Sequence, residues 1–261
     1  MPWIPVAFTL FGLFLLVAAV AVFHGLRCSA GWQAWLLYTI TRVYTGLFLR
    51  WRADRPCPFP EDGPGIIISN HTSPVDPMLV WAFHASTYRR HHIRVPNYLM
   101  AKEYCEIGGL VGWISRVMQS IPVERNGRDM RSVREALRRL QEGRLVGVFP
   151  EGGINETPDC LQLGNSGAGW LALKSKVPVF PVFIHDAPRG TTMVNSFYTR
   201  SKVRISYGEP VDLSKWADTK PTAEILAEVT DAMMRALAEL GQVDYIGNER
   251  ETIPLTSADA G

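Results

Sequence analysis

The sequence predicts an α/β fold: a mostly parallel central sheet flanked by helices, behind an N-terminal membrane-anchoring helical segment. Three observations lead there. Gly65–Ser69 and Arg144–Pro150 are short, continuously apolar runs of the kind found in strands buried on both faces. Strand candidates alternate with helical stretches through most of the chain, which is the order of a substantially parallel sheet. Ile4 to Phe23 is a 20-residue stretch without a charge, long enough to cross a hydrocarbon core of about 30 Å.

A chain of 261 residues accommodates one large domain and a short appendage. A net charge of +2 gives no reason to expect a nucleic-acid partner. Cys28, Cys57, Cys105 and Cys160 show no paired C-x-x-C spacing. They read as free thiols in a reducing compartment rather than a zinc site or disulfide framework.

Residues 1–55 are expected to be membrane-anchoring helices. The flank before Ile4 lacks the Lys or Arg of a secretory signal. Arg27, Arg42, Arg50, Arg52 and Arg55 follow the apolar stretch, which places the bulk of the chain on the cytoplasmic side of a membrane. Gly31 to Trp51 is aromatic-rich but carries Arg42 midway. An arginine at a bilayer centre costs roughly 2.5–3.5 kcal/mol on insertion scales, so this stretch reads as an interfacial or re-entrant helix more than a second span. The alternative is a buried helix of the globular domain.

Residues 56–64, with their prolines and glycines, read as a linker. The α/β domain then runs over 65–241. Its expected elements are a strand at Gly65–Ser69, a helix over Pro74–Ala85, a strand over Arg94–Ala101 and a glycine-broken helix over Glu103–Gln119. An amphipathic helix follows over Arg128–Glu142, with Val133, Leu137 and Leu140 on one face and Gly143 as its stop. Next come a strand over Arg144–Pro150, a loop from Glu151 to about Gly164, a helix over Ser166–Ser175, and strands over Val177–Ile184 and Lys202–Tyr207. A helix over Thr222–Leu240 closes the domain, and 242–261 reads as a loose tail.

Chemistry gathers beyond the carboxyl ends of strands in such sheets, and two runs occupy that position. Asn70-His71-Thr72-Ser73-Pro74-Val75-Asp76 follows the Gly65–Ser69 strand. An imidazole of ordinary pKa near 6.5 can take and return a proton, and a nearby carboxylate can fix its tautomer and stabilise the imidazolium. The same run is also a helix start, with Ser73 as N-cap, Pro74 first and Asp76 third in a capping box. Phe149-Pro150-Glu151-Gly152-Gly153 follows the second buried strand. It sets a carboxylate beside glycines that let a substrate approach main-chain N–H groups. Alone, Glu-Gly-Gly is an ordinary turn. Arg125 after Ile121-Pro122-Val123 can fork onto a phosphate or carboxylate, and Lys102 opens a helix. No G-x-S-x-G elbow supplies an enzyme nucleophile.

Taken in order, these blocks resemble the glycerolipid acyltransferase family, typified by bacterial lysophosphatidate (1-acyl-sn-glycerol-3-phosphate) acyltransferase. The resemblance covers roughly Gly65 to Asp212. His71-Thr72-Ser73-Pro74-Val75-Asp76 matches the Asn-His-x4-Asp block. Ala101-Lys102-Glu103 with Gly112 and Ile121-Pro122-Val123-x-Arg125 resemble the second block, Phe149-Pro150-Glu151-Gly152 the third, and Val177–Val182 the fourth. Many members continue the third block as Glu-Gly-Thr-Arg, whereas Gly153-Ile154 stands here. Asn165-Ser166 replaces the lysine pair often found before the Gly-Ala of the fourth region.

The resemblance implies acyl transfer from a thioester to a lipid hydroxyl, without a covalent acyl-enzyme and without a metal or other cofactor. It makes His71 the base and Asp76 its orienting partner. Lys102 and Arg125 would hold phosphate, and Glu151, with Gly152 and Gly153, would order the acceptor or the pocket. Backbone N–H groups at the start of the helix after His71 are expected to stabilise the oxyanion. The implied partners are a membrane lipid acceptor, acyl-CoA or acyl carrier protein as donor, and the bilayer itself. The implied product is phosphatidate, formed in phospholipid biosynthesis. Three other acceptor readings stay open: a lysophospholipid acyltransferase or transacylase with another headgroup, a glycerol-3-phosphate acyltransferase, and a membrane-bound (thio)esterase in which His71 activates water. A non-enzymatic lipid-binding protein would use the His–Asp pair only as a helix cap.

Overall fold

The computed structural model describes residues 3–82, 93–124, 130–157, 159–190, 192–245 and 247. In chain order its elements are helices α1 (Trp3–Arg27) and α2 (Trp32–Phe48), strands β1 (Arg52–Ala53) and β2 (Gly65–Ser69), and helix α3 (Asp76–Ala82). Next come β3 (Asn97–Ala101), α4 (Lys102–Glu106), α5 (Gly109–Val117), β4 (Ile121–Val123), α6 (Met130–Gln141), β5 (Leu145–Val148) and β6 (Cys160–Leu161). The chain continues through α7 (Ser166–Ser175), β7 (Val179–His185), α8 (Met193–Tyr198), β8 (Arg204–Tyr207), a 3-10 turn (Ser214–Trp216), α9 (Ala223–Gly241) and β9 (Asp244–Tyr245).

Seven strands form one sheet in the order β1-β8-β7-β2-β5-β3-β4. The run from β7 to β4 is parallel; β8 is antiparallel to β7, and β1 follows β8. The mostly parallel sheet expected from the sequence is therefore present, with a reversed edge. Every residue of β2 is buried, because helices cover both faces. Ile67, Phe180, Val182 and Tyr98 pack with α2, α3 and the end of α5 on one side. Ile66, Ile68, Val146 and Val148 pack with α6, α7 and α9 on the other. This alternation along each strand is the two-residue period of the pleat.

Local chemistry accounts for the helix ends. Asn165 caps α7 by accepting from Gly167 N at 2.9 Å, and Thr222 caps α9 by accepting from Ile225 N at 3.4 Å. Gly143 ends α6 at φ +77°, a left-handed conformation that costs a residue without Cβ little. The glycines expected to break the segment after Ala101 do so, dividing it into α4 and α5.

Several expectations are corrected. Helix α2 packs one face on the domain: Ala34, Leu37, Tyr38, Thr41 and Thr45 are buried, while Trp32, Ile40, Val43 and Leu47 are exposed. Arg42 donates to Ala82 O at 2.8 Å and lies over the Trp51 ring, so its charge is accommodated by protein. Strand β1, within the same 1–55 segment, joins the sheet. The 56–64 stretch is a packed strap rather than a free linker. Phe59 is buried against Phe180 and Tyr207, and Pro60 O and Gly63 O accept from Arg94. The loop after Glu151 and the start of the 242–261 tail are joined, since β6 pairs with β9. Helix α3 begins at Asp76 rather than Pro74, β3 at Asn97 rather than Arg94. Arg128 and residues 83–85, placed in helices by the sequence reading, lie outside the described residues. None of the four cysteines is in a disulfide.

Helix α1 stands apart from this core. It has a mean hydropathy of 2.7 over its most apolar window, and none of that window is buried by the protein. At 25 residues it extends about 37 Å at 1.5 Å per residue. Gly25 near its end lies against Trp32 and Trp35, which joins it to α2.

Candidate active site

Strands β2, β5, β3 and β4 are adjacent and parallel, so their carboxyl ends open on the same end of the sheet. His71 follows β2, Glu151 follows β5 and Lys102 follows β3. Arg125, two residues after β4, lies outside the described residues.

His71 Nδ1 is 3.0 Å from Asp76 Oδ2. The His71 side chain is 17% exposed and that of Asp76 is fully buried, so one imidazole edge is committed to the carboxylate and the other remains reachable. The same Asp76 oxygen accepts from Thr72 N and Ser73 N, each at 2.8 Å. The sequence had posed helix capping and histidine orientation as rivals, but one oxygen performs both. Because Nδ1 donates to a carboxylate, Nε2 carries the lone pair. The Phe149 ring stacks on the imidazole at 4.0 Å and 15°, fixing its plane.

The N–H groups expected to hold an oxyanion are engaged elsewhere. Thr72 and Ser73 donate to Asp76, His71 to Glu151, Val75 to Ser73 Oγ and Asp76 to Ser73 O. Pro74 has no N–H. The capping carboxylate thus takes the donors that a bare helix start would present.

Glu151 Oε1 accepts from His71 N at 3.1 Å. Its Oε2 accepts from Asn155 Nδ2 at 2.7 Å and Gln162 N at 3.0 Å. Burial raises the Glu151 pKa, opposed by the Gln162 and His71 N–H groups, the Asn155 amide and the His71 charge. Asn155, 1% exposed, completes the brace. Its N–H donates to His71 O at 2.6 Å, and its amide also reaches Cys160 O. Asn155 was given no role from the sequence.

Gly152 adopts φ +74°, and its N–H closes a turn onto Phe149 O. A side chain at Gly152 or Gly153 would meet nothing within 4 Å, so this flank is open. Ile154 is exposed beside it. The Lys102 ammonium faces Glu124 at 3.6 Å and Glu106 at 3.8 Å, so a phosphate would have to compete with two carboxylates for it. The block around Val177–Val182 forms the core of β7. It contributes position rather than chemistry: Asn70 Nδ2 donates to Ile184 O and Ile184 N to Asn70 Oδ1, which ties the His71 loop to that strand.

A reachable imidazole backed by a buried carboxylate is equipped to deprotonate a substrate hydroxyl. Comparison with known proteins agrees with acyl transfer. The family model described as Acyltransferase matches residues 52–185, from the start of β1 to the end of β7. A 1-acyl-sn-glycerol-3-phosphate acyltransferase of Bacillus subtilis (strain 168) is 26% identical over 181 residues, covering 69% of this chain and 83% of that protein. An N-acylphosphatidylethanolamine synthase of Arabidopsis thaliana is 25% identical over 165 residues, covering 59% of this chain and 57% of that protein. The crystal structure of the 1-acyl-sn-glycerophosphate (LPA) acyltransferase, PlsC, from Thermotoga maritima has the same fold. Its TM-score is 0.60 at 24% identity, over 86% of this chain and 88% of that one. With just over half of its length matched, including both loops that meet at His71, the chain belongs to the acyltransferase family and is an acyltransferase.

Proposed function

We infer that the protein moves a fatty acyl group from acyl-CoA or acyl carrier protein to the free hydroxyl of 1-acyl-sn-glycerol-3-phosphate, giving phosphatidate. The observation that carries this reading is the His71–Asp76 pair at 3.0 Å, buried on the Asp76 side and reachable on the other. His71 Nε2 takes the acceptor hydroxyl's proton as the oxygen attacks the thioester carbonyl. The tetrahedral intermediate collapses, the C–S bond breaks, and the imidazolium returns the proton to the departing thiolate. Asp76 supplies the counter-charge while the imidazolium exists. Glu151 and Asn155 act on the loops rather than on substrate, since their polar atoms are taken up by His71, Gln162, Cys160 and Thr157. Arg125 holds the acceptor phosphate, with Lys102 secondary. No cofactor takes part.

Helix α1 seats the enzyme at a membrane, where its lipid substrate resides, with the α/β domain on the cytoplasmic side.

A second acceptor class has its own support. Ile154 puts an exposed apolar side chain where many relatives carry a cation, and the similarity to an N-acylphosphatidylethanolamine synthase extends to larger headgroups. Purified protein supplied with labelled acyl-CoA or acyl carrier protein and a panel of lysolipids separates these readings. Phosphatidate as the dominant product supports the first. Preferential acylation of a lysophospholipid such as lysophosphatidylglycerol replaces it with the second, and release of free fatty acid alone overturns both.

A further inference from the structure

We propose that Arg189 and the hollow beside it hold the phosphate of the acyl donor's pantetheine arm, the group that acyl-CoA and acyl carrier protein share. This rests on the reading of the protein as an enzyme that draws on such a donor to acylate lysophosphatidate.

The sheet places the hollow next to the His71 loop. Strand β7 is the parallel neighbour of β2, so the chain leaving β7 emerges beside the chain leaving β2. Ser73, two residues after His71, donates through its hydroxyl to Pro188 O, and Ala187 and Pro188 are both buried. Arg189 comes next and is exposed, so it stands on a backbone pinned to the His71 loop. An open hollow of about 400 Å³ adjoins it, lined by Arg189, Gly190, Asn195, Tyr198 and Thr199. Its walls are tied together. Gly190 N donates to Ser196 Oγ at 3.1 Å, and that hydroxyl donates to Thr192 O at 3.2 Å. A methyl group on Gly190 would overlap the backbone of Asn195 and Ser196, so the chain after Arg189 folds back tightly on α8. Tyr44 of α2 donates to Phe197 O at 2.9 Å, which fixes α8 to the domain.

Charge decides what the hollow takes. Arg189 has no hydrogen-bond or ion-pair partner among the described residues, whereas Lys102 faces two carboxylates. A guanidinium without a counter-ion suits a phosphate, which it can grip with two parallel N–H donors. Position decides which phosphate. In the order β7-β2-β5-β3-β4, Arg189 follows β7 on one side of His71, and Lys102 and Arg125 follow β3 and β4 on the other. The acceptor oxygen and the thioester sulfur must both reach His71 Nε2, so the two substrates approach it from different sides. With the acceptor phosphate on the Arg125 side, the β7 side is left to the donor. The hollow is open to solvent, as a donor requires: a nucleotide or a carrier protein continues beyond the pantetheine phosphate, and a phosphomonoester carries no such extension.

The test is two-substrate kinetics of the full-length enzyme in detergent, with an acyl-phosphopantetheine and the matching acyl-pantetheine, which lacks the phosphate. The variants are Arg189→Gln and, as a control of equal charge from the same segment, Arg200→Gln, since Arg200 does not line the hollow. Arg189→Gln should raise KM for the phosphorylated donor about tenfold, the scale of one charge-assisted hydrogen bond. Its kcat, its KM for lysophosphatidate and its KM for acyl-pantetheine should stay near the wild-type values, and Arg200→Gln should change none of them. An unchanged donor KM in Arg189→Gln, an equal rise for both donors, or an equal rise in Arg200→Gln overturns the proposal. So does a rise in KM for lysophosphatidate alone, which assigns the hollow to the acceptor phosphate. Wild-type enzyme that does not acylate lysophosphatidate overturns the acceptor reading instead; with its preferred acceptor in place, the same donor comparison still decides the role of Arg189.

Discussion

Glu151 accepts the backbone N–H of His71 at 3.1 Å, so the carboxylate after β5 grips the main chain of the proposed base after β2. The grip is two-sided. The other Glu151 oxygen holds Asn155 and Gln162, and Asn155 N–H returns to His71 O at 2.6 Å. The third-block glutamate therefore spends its charge on joining two loops.

Glu151→Gln tests that role. An amide presents N–H on one side, so either His71 N–H or the Asn155 and Gln162 donors lose their acceptor. One buried donor left unpaired costs about 1–3 kcal/mol, and kcat should fall with it because His71 loses its backbone tether. Urea unfolding and steady-state kinetics on the same preparation check both effects.

The Glu151 pKa also has a measurable sign. Burial raises it, so there is a window above the usual glutamate range in which the folded protein holds this proton and the unfolded chain does not. There the folded state binds more protons, and stability falls as pH rises. The Glu151 contribution is thus fully present below the unfolded pKa and lost as pH rises through the folded one. The stability advantage of wild type over Glu151→Gln should shrink as pH increases through that window, read from unfolding midpoints at several pH values.

Asp76→Asn separates charge from shape. The amide oxygen can replace Asp76 Oδ2 and keep the Thr72 and Ser73 hydrogen bonds, so the α3 cap survives. The imidazolium loses its counter-charge, and kcat should fall by about 10²-fold or more with little change in Tm. An unaltered rate would reduce Asp76 to a helix cap.

Much of this was legible in the sequence where one local rule decided the outcome. The Ile66-Ile67-Ile68 run reads as a strand buried on both faces, and the helix expected over Ser166–Ser175 is α7. What could not be read depended on partners distant in the chain. Helix α2 is apolar around most of its circumference, and only packing against α3 reveals that Arg42 finds a carbonyl rather than lipid. The β6–β9 pair is two residues long, too short for any periodicity to register. The contacts of the His71 region show the same division. His71 and Asp76 are five residues apart, and their pairing was foreseen. The stacking of Phe149 on His71 joins the loops after β5 and β2, and the N–H groups expected to hold an oxyanion are taken by Asp76, Glu151 and Ser73.

Helix α1 should behave as a membrane anchor. Full-length protein should stay with membranes through high-salt and carbonate washes. Deletion up to about Arg27 should release much of it, since α2 spends one face on the protein core. Sedimentation of both forms with vesicles checks this, and full-length protein soluble without detergent would contradict it.

The most direct test of the central claim is the turnover of His71→Ala on an acyl thioester and lysophosphatidate, in detergent where the folded content is confirmed by circular dichroism. Loss of a positioned base predicts a fall in kcat of about 10²–10⁴-fold with the fold and membrane attachment intact. A folded His71→Ala enzyme that turns over near the wild-type rate would contradict the assignment of His71 as the base.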